Sequence, residues 1–231
     1  MKVYSILAHP NRSSLNGVMF DRANEYFVSQ GHTVKTFEVF QNADKILESS
    51  QAMYYNNTSK IEKKQASTYY HNYILEKLTT AFSKTEIANL KEADLLFIQT
   101  PILVWSLPAM LKLYIENIFL YDELFTLVDA WSDKDFKVIP HMTNKKVMFS
   151  FTLGSGQAMT ASVVGSERAL VQPIRSMFEF AGYTWTKPHI TWGTTGSREV
   201  RGEYMLSFDK FLAVGPQAEN KLQRFFKGLF K

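Results

Sequence analysis

The chain has no cysteine among its 231 residues, which excludes disulfides, thiolate metal centres and cysteine nucleophiles. No apolar run approaches the roughly 18 residues that a membrane helix needs, so no membrane span is expected. Lysine and arginine never form a dense block and the net charge is only +4. Nucleic-acid binding is therefore not expected, while a modest attraction for an anionic cofactor is. No two histidines sit at helical metal-ligand spacing, and no metal site is expected. The opening MKVYSILAHP has too short an apolar run for a signal peptide, so the expected location is cytoplasmic. A glycine fingerprint of the GxGxxG type is also missing from the first turn, which argues against a dinucleotide-type site there.

What remains reads as alternating strands and helices within one domain, residues 1–231. Lys2 to Ala8 is a first strand. Ser14 or Ser13 caps a helix with Leu15, Val18, Met19, Ala23, Tyr26 and Phe27 on its apolar side. Gly31 ends that helix, and Thr33 to Phe40 forms the second strand. A polar insertion at about 41–66 shows no period; Ser67 to Ala93 recovers helical spacing. Leu95 to Ile98 is a strand buried on both faces, cut off at Thr100 and Pro101. Pro108 suits the first turn of a helix bearing Leu111, Ile115 and Ile118. Tyr121 to Met142 is read as an irregular aromatic segment. Lys146 to Thr152 is the fourth strand, Ser166 to Phe180 a helix containing Pro173, and Thr184 to Trp192 a fifth strand whose Pro188 suggests a sheet edge. A basic amphipathic helix closes the chain at about 216–230.

This alternation predicts an α/β doubly wound, five-stranded parallel sheet of order 2-1-3-4-5. In such sheets ligands sit at the carboxyl ends of the strands, by the switch point. The loops Ala8–Asn16, Thr100–Leu107 and Leu153–Thr160 would then share one edge. The first enters a helix N-terminus, which favours an anion such as phosphate, with His9, Arg12, Ser13, Ser14 and Asn16 as further donors. The alternative is an ordinary cap at Ser14 and a solvated His9. The second carries Trp105, a flat surface for a ring or simple core filling. The third carries Gly154 and Gly156, which expose backbone to a ligand or only punctuate a turn. Together the three fit a flavin nucleotide.

Four stretches carry a family resemblance: LAHPNRSSLN at Leu7–Asn16, EADLLFIQTPILVWSLPAMLKLYIENIF at Glu92–Phe119, SFTLGSG at Ser150–Gly156 and QPIRSMFEFAGY at Gln172–Tyr183. Their order and content resemble the flavodoxin-like NAD(P)H:quinone oxidoreductases, a group including DT-diaphorase and the ancillary oxidoreductases of potassium efflux systems. The resemblance implies a flavodoxin-like fold and a homodimer with active sites at the subunit interface. It implies FAD, with FMN as the alternative, and NADH or NADPH as co-substrate. The reaction would be ping-pong, passing two electrons to a quinone or related small-molecule acceptor. On the matching motifs, His9, Ser14, Leu15 and Asn16 would hold the phosphates. Pro101, Ile102, Leu103, Val104 and Trp105 would pass along the flavin ring, and Thr152, Leu153, Gly154 and Ser155 would bond its polar edge.

The family's assisting Tyr and His align near Thr160 and Val164, so no catalytic acid or base is assigned. That departure leaves room for a flavin- or nucleotide-binding regulatory partner with little turnover, and azo- or nitro-compounds are alternative acceptors. A one-electron flavodoxin carrier fits less well with the basic composition, the chain's size and the aromatic segment.

Overall fold

The computed structural model describes residues 1–55, 79–120, 122–128, 137–194 and 200–215. The main sheet contains β1 (Lys2–Leu7), β2 (Thr33–Glu38), β3 (Leu95–Pro101), β6 (Lys146–Thr152), β7 (Thr184–Trp185) and β8 (His189–Thr191). Its order is β2-β1-β3-β6-β7, with β8 also on β6, and every pairing is parallel. This is the expected 2-1-3-4-5 order, with the last strand broken in two. The break falls at Lys187 and Pro188, as proline's missing N–H dictates at an edge.

Side chains alternate across the sheet and build two apolar layers. On one face, Tyr4, Ile6, Leu96, Ile98, Phe149 and Phe151 join residues of α3 (Ala81–Glu92), α4 (Ala109–Ile118) and α6 (Glu167–Phe180). On the other, Val3, Leu7, Leu95, Phe97 and Met148 pack with Met19, Phe20, Ala23 and Phe27 of α1 (Leu15–Ser29) and Phe208 and Leu212 of α7 (Val200–Val214). Buried Glu86 ties α3 and α4 to β1: its carboxylate accepts from Tyr4 at 2.5 Å and Tyr114 at 2.7 Å. Burial and that carboxylate push the Tyr4 hydroxyl well above its ordinary pKa.

Several expectations are corrected. The start of the polar insertion is ordered as α2 (Ala43–Ser50), an eight-residue helix with Ile46, Ser49 and Ser50 buried. The segment expected to be irregular contains an antiparallel hairpin, β4 (Phe125–Val128) with β5 (Lys137–Pro140). The third loop is shorter than expected, since a short helix, α5 (Gln157–Val164), begins inside it, and α7 fills residues left unassigned. Strand β3 runs on through Thr100 and Pro101, still paired with β6. Proline is tolerated because the Ile102 N–H bonds Thr152, so Pro101 faces β1, whose pairing has already ended at Leu7 with Gln99. Pro108 stands at the N-cap position of α4. The remaining parts of the insertion, residues 56–66, and the closing helix at 216–230 lie outside the described residues, as do residues 67–78.

Candidate functional site

The three loops do meet at one edge. Asn16, on the first turn of α1, donates from its amide to the Thr152 hydroxyl at the end of β6, at 2.9 Å. The Ile102 N–H donates to the Thr152 carbonyl, also at 2.9 Å, and brings in the loop after β3.

In the first loop Ser14 is the N-cap, its hydroxyl accepting from the Gly17 N–H at 3.3 Å. The same hydroxyl lies 2.9 Å from His9 Nδ1, and the Asn11 N–H points at that nitrogen from 3.0 Å. The Asn11 carbonyl oxygen lies 2.9 Å from the same nitrogen, so Nδ1 has a donor and an acceptor beside it and the loop accommodates either ring tautomer. The N–H groups of Leu15 and Asn16, in the first turn, have no acceptor among the described residues. Gly17 makes this arrangement possible, since a β-carbon there would lie 1.8 Å from the Arg12 carbonyl oxygen. The loop backbone crosses the helix where only glycine fits.

Arg12 is not free to meet an anion. Its guanidinium pairs with Asp21, lies 3.3 Å from Glu38, donates to the Gly17 carbonyl at 2.9 Å and sits over the Phe20 ring. Asn16 likewise spends its side chain on Thr152 and Gln99. What this loop offers an anion is the Leu15 and Asn16 N–H groups, the Ser14 cap and the His9 ring.

The second loop makes a tight turn. Leu103 and Ser106 exchange backbone hydrogen bonds at 2.9 and 3.0 Å around Val104 and Trp105. Both central residues are left-handed, at φ 48° and 61°, a geometry normally given to Gly or Asn. A β-branched residue there is a genuine outlier, and Val104 is also 93% exposed. Trp105 packs partly against the core, while Leu103 is exposed. Pro101 and Ile102 are buried. Left-handed geometry costs a non-glycine residue about 1–2 kcal/mol, partly offset in a glycine by about 0.5–1 kcal/mol of chain entropy. Val104→Gly is therefore expected to raise stability by about 1 kcal/mol, read from urea unfolding.

In the third loop Thr152 and Leu153 are buried, with the Leu153 N–H on the Thr191 carbonyl at 2.9 Å. Gly154 and Gly156 are exposed. The Ser155 hydroxyl lies 3.1 Å from that of Thr160, which is buried and bonds the Gly156 carbonyl. Val164 packs against the core. Neither Thr160 nor Val164 presents an acid or base. Helix α5 begins at Gly156 without a side-chain cap.

Sequence reasoning missed Gly17 and Gln99. The signals were a glycine inside a helical pattern and a lone polar residue inside a buried strand.

The sheet order and the three loops at its switch point define a doubly wound α/β protein of flavodoxin type. The Flavodoxin_2 family, described by its flavodoxin-like fold, matches residues 1–209, and the chain belongs to it. NAD(P)H dehydrogenase [quinone] 1 of Cavia porcellus is 26% identical over 215 residues, covering 90% of this chain and 74% of that protein. The NAD(P)H:quinone oxidoreductase from Methanothermobacter marburgensis superposes with a TM-score of 0.68 at 14% identity, covering 95% of this chain and 98% of that one. An FMN-dependent NADH-azoreductase from Bacillus anthracis, solved with FMN, superposes with a TM-score of 0.60 at 14% identity, covering 95% and 99%. No helix among the described residues is long and apolar enough to cross a membrane.

Proposed function

We propose that the chain is a flavin-dependent NAD(P)H oxidoreductase that passes two electrons to a quinone or a related acceptor. The observation that carries this reading is the contact of Asn16 with Thr152, which sets the anion cradle beside the two loops proposed for the ring. The names of the similar proteins accord with it. Leu15 and Asn16 would hold a phosphate through their N–H groups, with the His9 ring and the α1 dipole adding to them. Pro101 to Trp105 would wall the ring, and Leu153 to Ser155 would meet its polar edge. A flavin held there would supply the hydride chemistry, and a ping-pong sequence from NAD(P)H to the acceptor belongs to the same proposal. The protein's own residues bind and orient.

The residues proposed for the site would serve the FMN portion, which FAD contains as well. FMN is the form favoured, because a solved neighbour binds it. A homodimer belongs to the same proposal: Leu103, Val104, Met159 and Val163 leave apolar surface exposed on the second and third loops and on α5. So does a cytoplasmic location. A flavin-binding partner with little turnover is the competing reading, favoured by Thr160 and Val164 standing where an acid–base pair was expected. Azo-compounds are the alternative acceptor.

The test is to purify the protein with added flavin and follow NADH and NADPH oxidation with and without a small quinone. A yellow protein with quinone-dependent oxidation is expected. A yellow protein that oxidises neither nucleotide would sink the enzyme reading, and one that stays colourless would sink the flavin reading. Extraction and mass measurement of the bound flavin decides between FMN and FAD.

A further inference from the structure

Strand β3 is buried from end to end, and Gln99 within it is 0% exposed. Leu95 and Phe97, on the same face, lie in the apolar layer with Leu7 and Met148, so the position calls for an apolar side chain. Only half of the Gln99 amide is satisfied. Its Nε2 donates to Asn16 Oδ1 at 2.9 Å, while its Oε1 is buried without a partner among the described residues. A half-satisfied buried amide is disfavoured against an apolar residue of the same shape, and it requires an explanation.

The satisfied half supplies one. Gln99 holds the Asn16 amide, which donates in turn to the Thr152 hydroxyl at 2.9 Å. Asn16 stands in the α1 turn that offers its N–H groups to a phosphate, and Thr152 leads into the loop offered to the ring edge. We propose that Gln99 is a positioning residue that couples the phosphate subsite to the ring subsite, an inference that rests on the flavin reading above. It touches neither group of the ligand. It fixes the distance between the two places where the ligand is held, so that binding at one is realised together with binding at the other.

FMN and riboflavin differ by the phosphate alone, so their affinity ratio reports this coupling. Both are titrated into the full-length protein, stripped of flavin, in its native form and as Gln99→Met. The FMN-to-riboflavin affinity ratio is expected to fall about tenfold, with riboflavin affinity nearly kept and the thermal midpoint unchanged or raised. A ratio within threefold of the native value overturns the proposal, whether both affinities hold or both fall in parallel as a purely structural role requires. Native protein that binds neither compound overturns the flavin reading itself, an outcome visible before any variant is made. Should Gln99→Met fail to fold, Gln99→Leu provides the same comparison.

Discussion

Gly17→Ala is expected to destabilise the fold by about 3 kcal/mol, at the upper end of overpacking costs, and to weaken flavin binding at least a hundredfold. The sign is the informative part. In a helix with free space, exchanging glycine for alanine gains about 1 kcal/mol. Here the added carbon would lie 1.8 Å from the Arg12 carbonyl oxygen and 2.7 Å from its carbon, both backbone atoms. The loop cannot yield cheaply, because Arg12 is anchored to Asp21, Glu38 and the Gly17 carbonyl, and Ser14 is fixed by its backbone bond to Asn11. Displacing Arg12 moves the Asn11 backbone that contacts the His9 ring and the Ser14 cap that opens α1. Stability and cradle are thus lost together. Urea unfolding and flavin fluorescence titration measure the two effects, and an alanine variant more stable than the native chain would contradict the close approach.

The frame of this site was legible because it depends on patterns local to the chain. Leu95 to Ile98 is apolar without alternation, as a strand covered on both faces must be, and Leu111, Ile115 and Ile118 repeat at helical spacing. From those elements the sheet order follows, and with it the meeting of the three loops. Features set by contacts distant in sequence were not legible. Nothing near Arg12 indicates that its guanidinium turns back onto Asp21 and Glu38, so it was counted among the anion donors. Asn16 was counted there too, although its side chain reaches across to Thr152 and Gln99. Helix α2 escaped notice because eight residues with Ile46 buried show too little periodicity, and the β4–β5 hairpin because its strands have only four residues each. The Val104 and Trp105 turn was hidden for a different reason. It uses residues that turn chemistry disfavours, and such violations persist where the surrounding structure imposes them.

Acid should act on the same face of the sheet as the site, at the contact between β8 and α7. The His189 ring is buried against Phe208 and Phe211, with Nε2 3.3 Å from the Ser207 hydroxyl and Nδ1 3.4 Å from those of Ser150 and Thr191. No carboxylate is among these contacts to favour the charged form, and burial pushes its pKa down to about 4 from an ordinary 6.5. The folded state therefore binds this proton less readily than the unfolded chain does. Its stabilising effect is complete above pH 6.5 and declines as the pH falls toward 4. The slope in that window is about 1.4 kcal/mol per pH unit, and about 3 kcal/mol is lost in all. Asp209, on the same helix, is held below its ordinary 3.8 by the Arg22 guanidinium. Its effect is lost only in stronger acid, so the two steps are separable. Urea unfolding from pH 7 to 4 should show the first step in the native chain and lose it in His189→Gln, whose amide stays neutral throughout. An equally steep decline in that variant would assign the acid sensitivity to another group. If the step belongs to His189, protonation loosens α7 from the sheet. The Asn16–Thr152 contact lies on the same face but shares no hydrogen bond with His189, so flavin held at the loops should raise the unfolding midpoint at every pH without changing the slope.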